Sequence, residues 1–179
     1  GLGIKFLTAT RVNIARDEKL MLAMKNAGCT LVNLGIESGD ADILKKCGKG
    51  TSIEEAEAAL KTLRKCGLKT SLNFILGLTG ENRCSLENTR RFAMKHHRYA
   101  EGVNFAILVP YPGTEIYDMA IHGLCVLKMG TDNWALFGKQ AGNAVMLDNF
   151  QAGVLKRYQL RLYAQYCLRS PAAFLSNLS

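Results

Sequence analysis

The chain has 179 residues, of which 48% are hydrophobic, and a formal net charge of +8. This length and hydrophobic content are sufficient for a buried core in one domain and exclude a disordered chain. No apolar run of about eighteen residues and no charged leader before an apolar segment occurs, so we expect a cytoplasmic protein without a membrane span.

The net positive charge divides evenly between residues 1–122 and the shorter segment 123–179, so the short C-terminal segment is the more purely basic part. Residues 1–122 hold 17 basic and 13 acidic side chains, whereas residues 123–179 hold 6 and 2. Such a basic tail attracts polyanions, but no run of Lys and Arg with interleaved aromatic residues marks a nucleic-acid-binding face. The basic residues therefore form either a solvated surface or an RNA-binding surface. The sequence favours a solvated surface.

The six cysteines show no metal-ligand spacing. They never occur as CxxC or CxxxCxxC, the patterns in which neighbouring thiolates hold zinc or an iron–sulfur cluster. In a chain expected to be cytoplasmic, we interpret them as free thiols and assign no metal ligand to this sequence.

The first half of the chain alternates between strand and helix patterns. The expected elements are a strand over 3–11, a helix from about 17 to 27 with Leu20, Met21, Met24 and Ala27 on its inner face, a strand over 30–36 and a short helix over 40–47. The second strand ends at Glu37, Ser38 and Gly39. Polar residues at the end of a buried strand indicate a ligand-binding edge in a repeating strand–helix fold.

The next elements follow the same order. Thr51-Ser-Ile-Glu54 has the spacing of a capping box and predicts a helix that ends near Cys66, with Ala56, Ala59, Leu60 and Leu63 inward. The further expected elements are a strand over 68–76, a helix from Ser85 to Arg98, a strand over 103–109 and a helix from Thr114 to 121. In the third strand, Leu72, Phe74 and Leu76 share one face, which places Asn73 and Ile75 on the other.

Four strands alternating with helices predict an α/β fold with parallel strands, in the form of a partial βα (TIM-like) barrel. We expect residues 1–122 to form this barrel portion. Residues 123–179 are expected to be a loop-rich extension around Trp134, followed by a helix over 151–167 that packs back on the domain. Trp134 is interpreted as a core or lid aromatic, and Pro171 as the end of that helix.

The predicted strand ends bring polar groups together. Arg11 follows the first strand, Glu37 and Ser38 the second, Asn73 and the loop 77–81 the third, and Pro110 with Tyr111 the fourth. One cation, carboxylates and amides suit a zwitterionic or polyhydroxylated ligand. No Ser-His-Asp set is apparent, and His96 and His97 are expected on a helix surface away from these ends.

Four segments in order resemble the radical S-adenosylmethionine enzymes. They are Lys25-Asn-Ala-Gly-Cys-Thr30, Leu34-Gly-Ile-Glu-Ser-Gly39, Phe74-Ile-Leu-Gly-Leu-Thr-Gly-Glu81 and Val109-Pro-Tyr-Pro-Gly-Thr-Glu115. The last segment is most similar to the branch that carries an N-terminal cobalamin-binding domain. The resemblance implies a six-stranded partial barrel of which this chain supplies the last four strands.

The resemblance also implies roles for individual residues. Glu37 and Ser38 match the position that contacts the methionine or ribose of S-adenosylmethionine, and Asn73 matches the one that bonds the ribose. The positions implied around the adenine are Ile75, Gly77, Leu78, Val109 and Pro110. Alternatives remain for three residues: Glu37 as a helix cap, Asn73 as a core amide, and Arg11 as a surface ion pair instead of a contact to the cofactor carboxylate.

The family's CxxxCxxC motif is absent from this sequence. The resemblance implies S-adenosylmethionine and a 4Fe-4S cluster whose ligands lie outside this chain, with cobalamin in the branch named above. We expect the chain to be an inactive fragment whose partner is the missing N-terminal part of the same protein, the alternative being a degenerate relative. The substrate, a small molecule or RNA, is not identified.

Two other functions are considered. A barrel lyase or aldolase would need a Schiff-base lysine at a strand end, and the sequence places none there. A non-catalytic barrel would serve as an RNA or protein interaction module.

Overall fold

The computed structural model describes residues 3–48, 50–122, 127–129, 145–147, 150 and 153–169. Four parallel strands form one sheet in the order β1-β2-β3-β4. They are β1 (Phe6–Arg11), β2 (Cys29–Glu37), β3 (Lys69–Leu76) and β4 (Gly102–Ile107). The predicted α/β class with four parallel strands is therefore confirmed.

Helices connect the strands, as parallel strand pairs require. They are α1 (Val12–Ala15), α2 (Glu18–Asn26), α3 (Ala41–Lys46), α4 (Ile53–Lys65), α5 (Arg83–Lys95), a 3-10 turn (His97–Tyr99) and α6 (Glu115–Ile121). The four-residue helix α1 was not predicted. A small antiparallel pair, β5 (Leu127–Met129) and β6 (Val145–Leu147), precedes the last helix, α7 (Val154–Arg169).

The expected helix at the C-terminus is present and packs against β4 and α5. Its buried residues are Leu155, Gln159, Leu162 and Tyr166. Trp134 and Pro171 lie outside the described residues, and the division of the chain after residue 122 stays a prediction.

Two helix starts differ from the prediction. Helix α4 is capped by Ser52 and Glu55, not by Thr51 and Glu54: Ser52 Oγ accepts from the Glu55 amide at 3.2 Å, and Glu55 Oε2 accepts from the Ser52 amide at 3.0 Å. The sequence contains two overlapping boxes, and the structure uses the second. Helix α5 is capped by Asn82, with Ser85 three residues inside, and it ends at Lys95 instead of Arg98.

The core lies between the helices and one face of the sheet. Buried side chains on this face come from alternate positions of the strands, namely Val32, Leu34, Ile36, Leu72, Phe74, Leu76, Phe105 and Ile107. The predicted inner face of α4, with Ala56, Ala59, Leu60 and Leu63, is buried against them. Burial of this set fixes the strand register, because a slip of one residue would reverse every side chain.

The inner face predicted for α2 is wrong in part. Met21 is buried, but Leu20 is 40% exposed and Ala27 is also exposed. Helix α2 contacts α1, α4 and β2 at the β1 side of the sheet. Because these few elements are the main neighbours of α2 in the described part of the chain, they cover only a narrow apolar stripe of the helix.

His96 is not on the surface, contrary to the prediction. Its side chain is buried, its ring lies 4.5 Å from the Phe92 ring, and its Nε2 is 3.0 Å from Glu57 Oε1. Burial lowers the pKa of this imidazole, against the opposing effect of Glu57. His96 follows α5, so it stabilises the end of the sheet opposite to the strand exits.

Within the described residues, none of the helices combines the length and the apolarity needed to span a bilayer.

Gly39 allows the segment after β2 to cross α5 at close range. A Cβ atom at this position would lie 2.7 Å from both Phe92 Cβ and Thr89 Cα. The crossing is held by the Thr89 hydroxyl, which accepts from the Gly39 amide at 3.0 Å and lies 3.2 Å from Ser38 Oγ.

We expect Gly39→Ala to lower the free energy of unfolding by about 1–3 kcal/mol, because the new methyl group overpacks this crossing. Gly102→Ala is the matched control, since its Cβ would meet only Ser71 Oγ at 3.6 Å, an ordinary contact. Urea denaturation of both variants measures the difference. Equal stability of the two would contradict the close approach of α5 at Gly39.

Candidate functional site

The face of the sheet opposite the helices is concave and polar. It forms an open cavity of about 610 Å³, called the concavity below. Its lining residues are Ala9, Thr10, Arg11, Asn33, Gly35, Glu37, Ser71, Asn73 and Asn104. The interior of a closed βα barrel is normally filled by layers of branched apolar side chains. Amides, a hydroxyl, a carboxylate and a guanidinium here indicate a surface that binds a polar ligand instead.

The strand register aligns four of these positions in one row. Arg11 pairs with Gly35, Gly35 with Asn73, and Asn73 with Asn104. Neighbouring strands lie about 4.8 Å apart, so the row crosses about 14 Å of the sheet. The row therefore has the length of an extended ligand with several polar groups.

Glu37 reaches this row because of two local features of β2. The strand pairing is interrupted by a bulge between Gly35 and Glu37, and Glu37 has a φ of 71°. A Cβ atom on Gly35 would lie 2.9 Å from Glu37 Oε1. The absence of a side chain at Gly35 thus lets the Glu37 carboxylate lie over the strand, on the side of the concavity.

The backbone of Glu37 is strained. A left-handed conformation costs a residue other than glycine about 1–2 kcal/mol. Among the described residues, Glu37 alone combines a positive φ with a side chain. Such strain is retained where the surrounding structure imposes it, and it concentrates at functional sites.

Glu37 does not cap the helix that follows it, so that alternative is wrong. Asp40 is the N-cap of α3, and its Oδ1 accepts from the amides of Asp42 and Ile43 at 3.1 Å. The Glu37 side chain is therefore not required to start this helix.

Asn73 lies on the concave side in the middle of β3, with its side chain half-buried. Its Nδ2 donates to Leu34 O at 3.5 Å and to Ser71 O at 3.4 Å. Both distances are long for hydrogen bonds of this type. The amide is thus oriented by the backbone without being strongly bonded to it.

Ser38 faces the opposite side of the sheet. It is fully buried, and its hydroxyl lies 3.2 Å from Thr89 Oγ1 and accepts from the Asp40 amide at 3.2 Å. The structure therefore brings Arg11, Glu37 and Asn73 together and places Ser38 in the support behind them.

The residues implied around the adenine lie at or beyond the strand ends. Ile75 is half-buried, two positions after Asn73 and on the same face of β3. Gly77, Leu78 and Pro110 are buried and Val109 is half-buried. None of these five residues lines the concavity.

Among the lining residues that the sequence analysis missed, three are polar side chains within β2, β3 and β4: Asn33, Ser71 and Asn104. The sequence did contain a signal for them. Asn33, Ser71 and Asn104 lie two residues before Gly35, Asn73 and Ala106, respectively, and therefore on the same face of their strands, opposite to the buried side chains. The register that brings them side by side could not be obtained from single strands.

Glu81 holds the loop after β3. It is buried, and its Oε2 accepts from the Gly77 amide. Burial raises the pKa of this carboxyl to about 7, while the amides of Gly77 and Leu78 act in the opposite direction. The carboxyl thereby fixes the turn in which Gly77 and Gly80 adopt positive φ angles of 91° and 81°.

A second cavity, of about 400 Å³, lies on the helical side between α5 and α7 and is lined by Arg83, Leu86, Phe150, Val154, Arg157, Tyr158 and Arg161. It contains none of the residues that the sequence analysis selected.

The chain matches the family model of the radical SAM superfamily over residues 3–93, just over half of its length. The chain therefore belongs to the radical SAM superfamily, and the resemblance noted from its four segments is confirmed.

Individual relatives agree with this assignment. The chain is 35% identical over 170 residues to an uncharacterized methyltransferase of Pyrococcus horikoshii, covering 94% of this chain and 35% of that protein. It is 28% identical over 154 residues to bacteriochlorophyllide d C-12(1)-methyltransferase of Chlorobaculum tepidum, covering 83% of this chain and 33% of that enzyme. The chain thus spans about a third of the length of these relatives.

Solved structures show the same fold. Elp3 of Methanocaldococcus infernus superimposes with a TM-score of 0.56 at 29% identity, over 67% of this chain and 28% of the other. The radical S-adenosylmethionine methyltransferase TsrM of Kitasatospora setae has a TM-score of 0.59 at 19% identity, over 90% and 36%.

We expect Glu81 to make the protein less stable as pH rises. Its folded-state pKa of about 7 lies above the ordinary value of 4.5, so the folded state binds the proton more tightly. The stabilisation is complete below pH 4.5 and is lost as pH rises through 7, by up to about 3 kcal/mol.

Glu81→Gln removes this titration while keeping an acceptor for the Gly77 amide. The free energy of unfolding of the variant should change less between pH 5 and pH 8 than that of the native protein, as measured by urea denaturation. Parallel pH profiles for the two proteins would contradict the raised pKa.

Proposed function

We propose that the concavity binds S-adenosylmethionine and that the chain is part of a longer radical SAM enzyme. The observation that carries this proposal is the row formed by Arg11, the Glu37 carboxylate over Gly35, and Asn73. A guanidinium and a carboxylate side by side complement a zwitterionic amino acid, and an amide one strand further complements a hydroxylated sugar.

The residues fit the ligand in charge, size and order. Arg11 would receive the carboxylate of the methionine portion and Glu37 its ammonium group, while Asn73 would bond the ribose. The concavity, at about 610 Å³, is within the range of small-molecule sites. Ile75, Gly77, Leu78, Val109 and Pro110, at the ends of β3 and β4, would form the adenine side, and Ser38 would support Glu37 from behind.

The rest of the site would come from other parts of the same protein. Within the described residues, no group of three or more His, Cys, Asp or Glu side chains could hold a metal ion. We propose that a 4Fe-4S cluster is bound by thiolates outside this chain, so that the chain alone is inactive. When bound, the cofactors supply radical or methyl-transfer chemistry; this chain's residues bind, orient and shield the nucleoside.

The edge strand β1 is the proposed junction with those other parts. Ile4, Phe6 and Leu7 are 60%, 36% and 67% exposed there. An exposed apolar strand edge with unpaired backbone groups is favoured to pair with a further strand.

Methyl transfer is the proposed reaction type, supported by the methyltransferase names of the relatives above. Cobalamin is proposed as the methyl carrier because the sequence resembles the cobalamin-associated branch. Among the residues that the structure describes, no lysine lines the concavity, which disfavours the lyase or aldolase alternative. The cytoplasmic location stays a prediction.

The whole protein, reconstituted with iron and sulfide under anaerobic conditions and reduced, should convert S-adenosylmethionine to 5′-deoxyadenosine or S-adenosylhomocysteine. Liquid chromatography with mass detection measures both products. A cluster-loaded protein that neither binds nor consumes S-adenosylmethionine would show the proposal to be wrong.

We expect Glu37→Gln to weaken the binding of S-adenosylhomocysteine about tenfold, because a charge-assisted bond to its ammonium group is lost. The affinity for 5′-methylthioadenosine, which lacks the amino acid, should not change. Calorimetric titration of the whole protein measures both affinities.

Glu101→Gln is the matched control, since this exposed carboxylate lies 3.8 Å from Lys69 Nζ at the opposite end of the sheet. Equal losses for the two ligands in Glu37→Gln, or a comparable loss in Glu101→Gln, would remove Glu37 from the amino-acid subsite.

A further inference from the structure

Helix α7 closes the free edge of β4 at one residue. Gln159 Nε2 donates to Phe105 O, and the Phe105 amide donates to the Tyr163 hydroxyl at 2.9 Å. Gln159 and Tyr163 are four residues apart and lie on one face of the helix. Two side chains thereby replace the partners that a neighbouring strand would have supplied.

The Tyr163 hydroxyl also bonds a side chain that lines the concavity. It accepts from the Phe105 amide, which is only a donor, so its own proton is available to a second partner. That partner is Asn104 Oδ1, at 3.1 Å. Asn104 is the next residue along β4, and its side chain lines the concavity.

This bond fixes the orientation of the Asn104 amide. Because Oδ1 accepts from Tyr163, the Nδ2 group is the end of the amide directed away from α7. Asn104 therefore offers N–H donors to the concavity.

Asn73 has the opposite orientation. Its Nδ2 is directed to two backbone carbonyls, of Leu34 and Ser71, so its Oδ1 is the end available to a ligand. Asn73 and Asn104 are register partners on adjacent strands. The concavity thus presents an acceptor and a donor side by side.

We propose that Asn104 is a further ligand-binding residue that, with Asn73, recognises the vicinal diol of a ribose, and that Tyr163 is a positioning residue that acts through Asn104. The two hydroxyls of a diol are adjacent, and each can donate and accept, so one bonds Asn73 Oδ1 and the other Asn104 Nδ2. This inference rests on the proposed binding of an S-adenosyl ligand. It adds a contribution of the C-terminal helix to that site.

The test uses the whole protein, with S-adenosylhomocysteine and its 2′-deoxy and 3′-deoxy derivatives as probes. Asn104→Ala should weaken the binding of S-adenosylhomocysteine about five- to tenfold, the usual effect of one hydrogen bond. The variant should lose little affinity for the derivative that lacks the hydroxyl contacted by Asn104. Equal losses for all three probes would overturn the inference.

Tyr163→Phe should weaken binding with the same probe selectivity, and the double variant Tyr163→Phe/Asn104→Ala should lose no more than Asn104→Ala alone. Tyr158→Phe is the matched control: it is on the same helix, and its hydroxyl donates to Leu86 O at 3.0 Å, away from the concavity. It should leave all affinities unchanged. Additive losses in the double variant would overturn the role of Tyr163 through Asn104. Equal effects of the two Tyr→Phe changes would show that the effect of Tyr163 is not specific to the concavity, and would overturn it as well.

The two proposals fail in different ways. Native protein that does not bind S-adenosylhomocysteine overturns both the proposed function and this inference. Native protein that binds it, with no change in Asn104→Ala, overturns this inference alone.

Discussion

The burial of one face of a four-stranded parallel sheet is the constraint on which the site depends. Leu34, Leu72, Phe74 and Phe105 are completely enclosed on the helical side. A one-residue slip of any strand would expose this face and bury the amides of the other, at a cost of several kcal/mol for unpaired polar groups. The same packing that stabilises the fold therefore holds the polar row in register across the concave side.

The strained conformation at Glu37 is supported from behind by buried hydrogen bonds. The Ser38 amide donates to Ile36 O at 3.0 Å and closes a tight turn around Glu37. The Ser38 hydroxyl and the Gly39 amide then meet Thr89 Oγ1 on α5. These bonds are removed from solvent, so the free energy that maintains the left-handed backbone comes from the helical layer, and the carboxylate is displayed on the other side.

Side chains outside the sheet bond backbone groups at the end of β3 and in the middle of β4. Glu81 bonds the Gly77 amide after β3, and Gln159 with Tyr163 bonds both backbone groups of Phe105 in β4. Each contact satisfies a backbone group that the sheet leaves unpaired. In β4 the side chains that do this are distant in sequence, and Tyr163 connects this support to the concavity through Asn104.

By itself, the sequence determined what depends on local pattern: the strand–helix alternation, the inner face of α4, the polar strand ends at Arg11 and Glu37, and the polar position of Asn73 within β3. It also carried the motifs of the family. Tertiary structure decided between local alternatives of similar energy, such as the capping box at Ser52 over that at Thr51. It also decided what depends on neighbours: the burial of His96 against Phe92, the turning of Ser38 toward Thr89, and the alignment of Asn104 with Asn73. Periodicity assigns a side chain to a face, but only the register and the packing of distant segments determine which groups it meets.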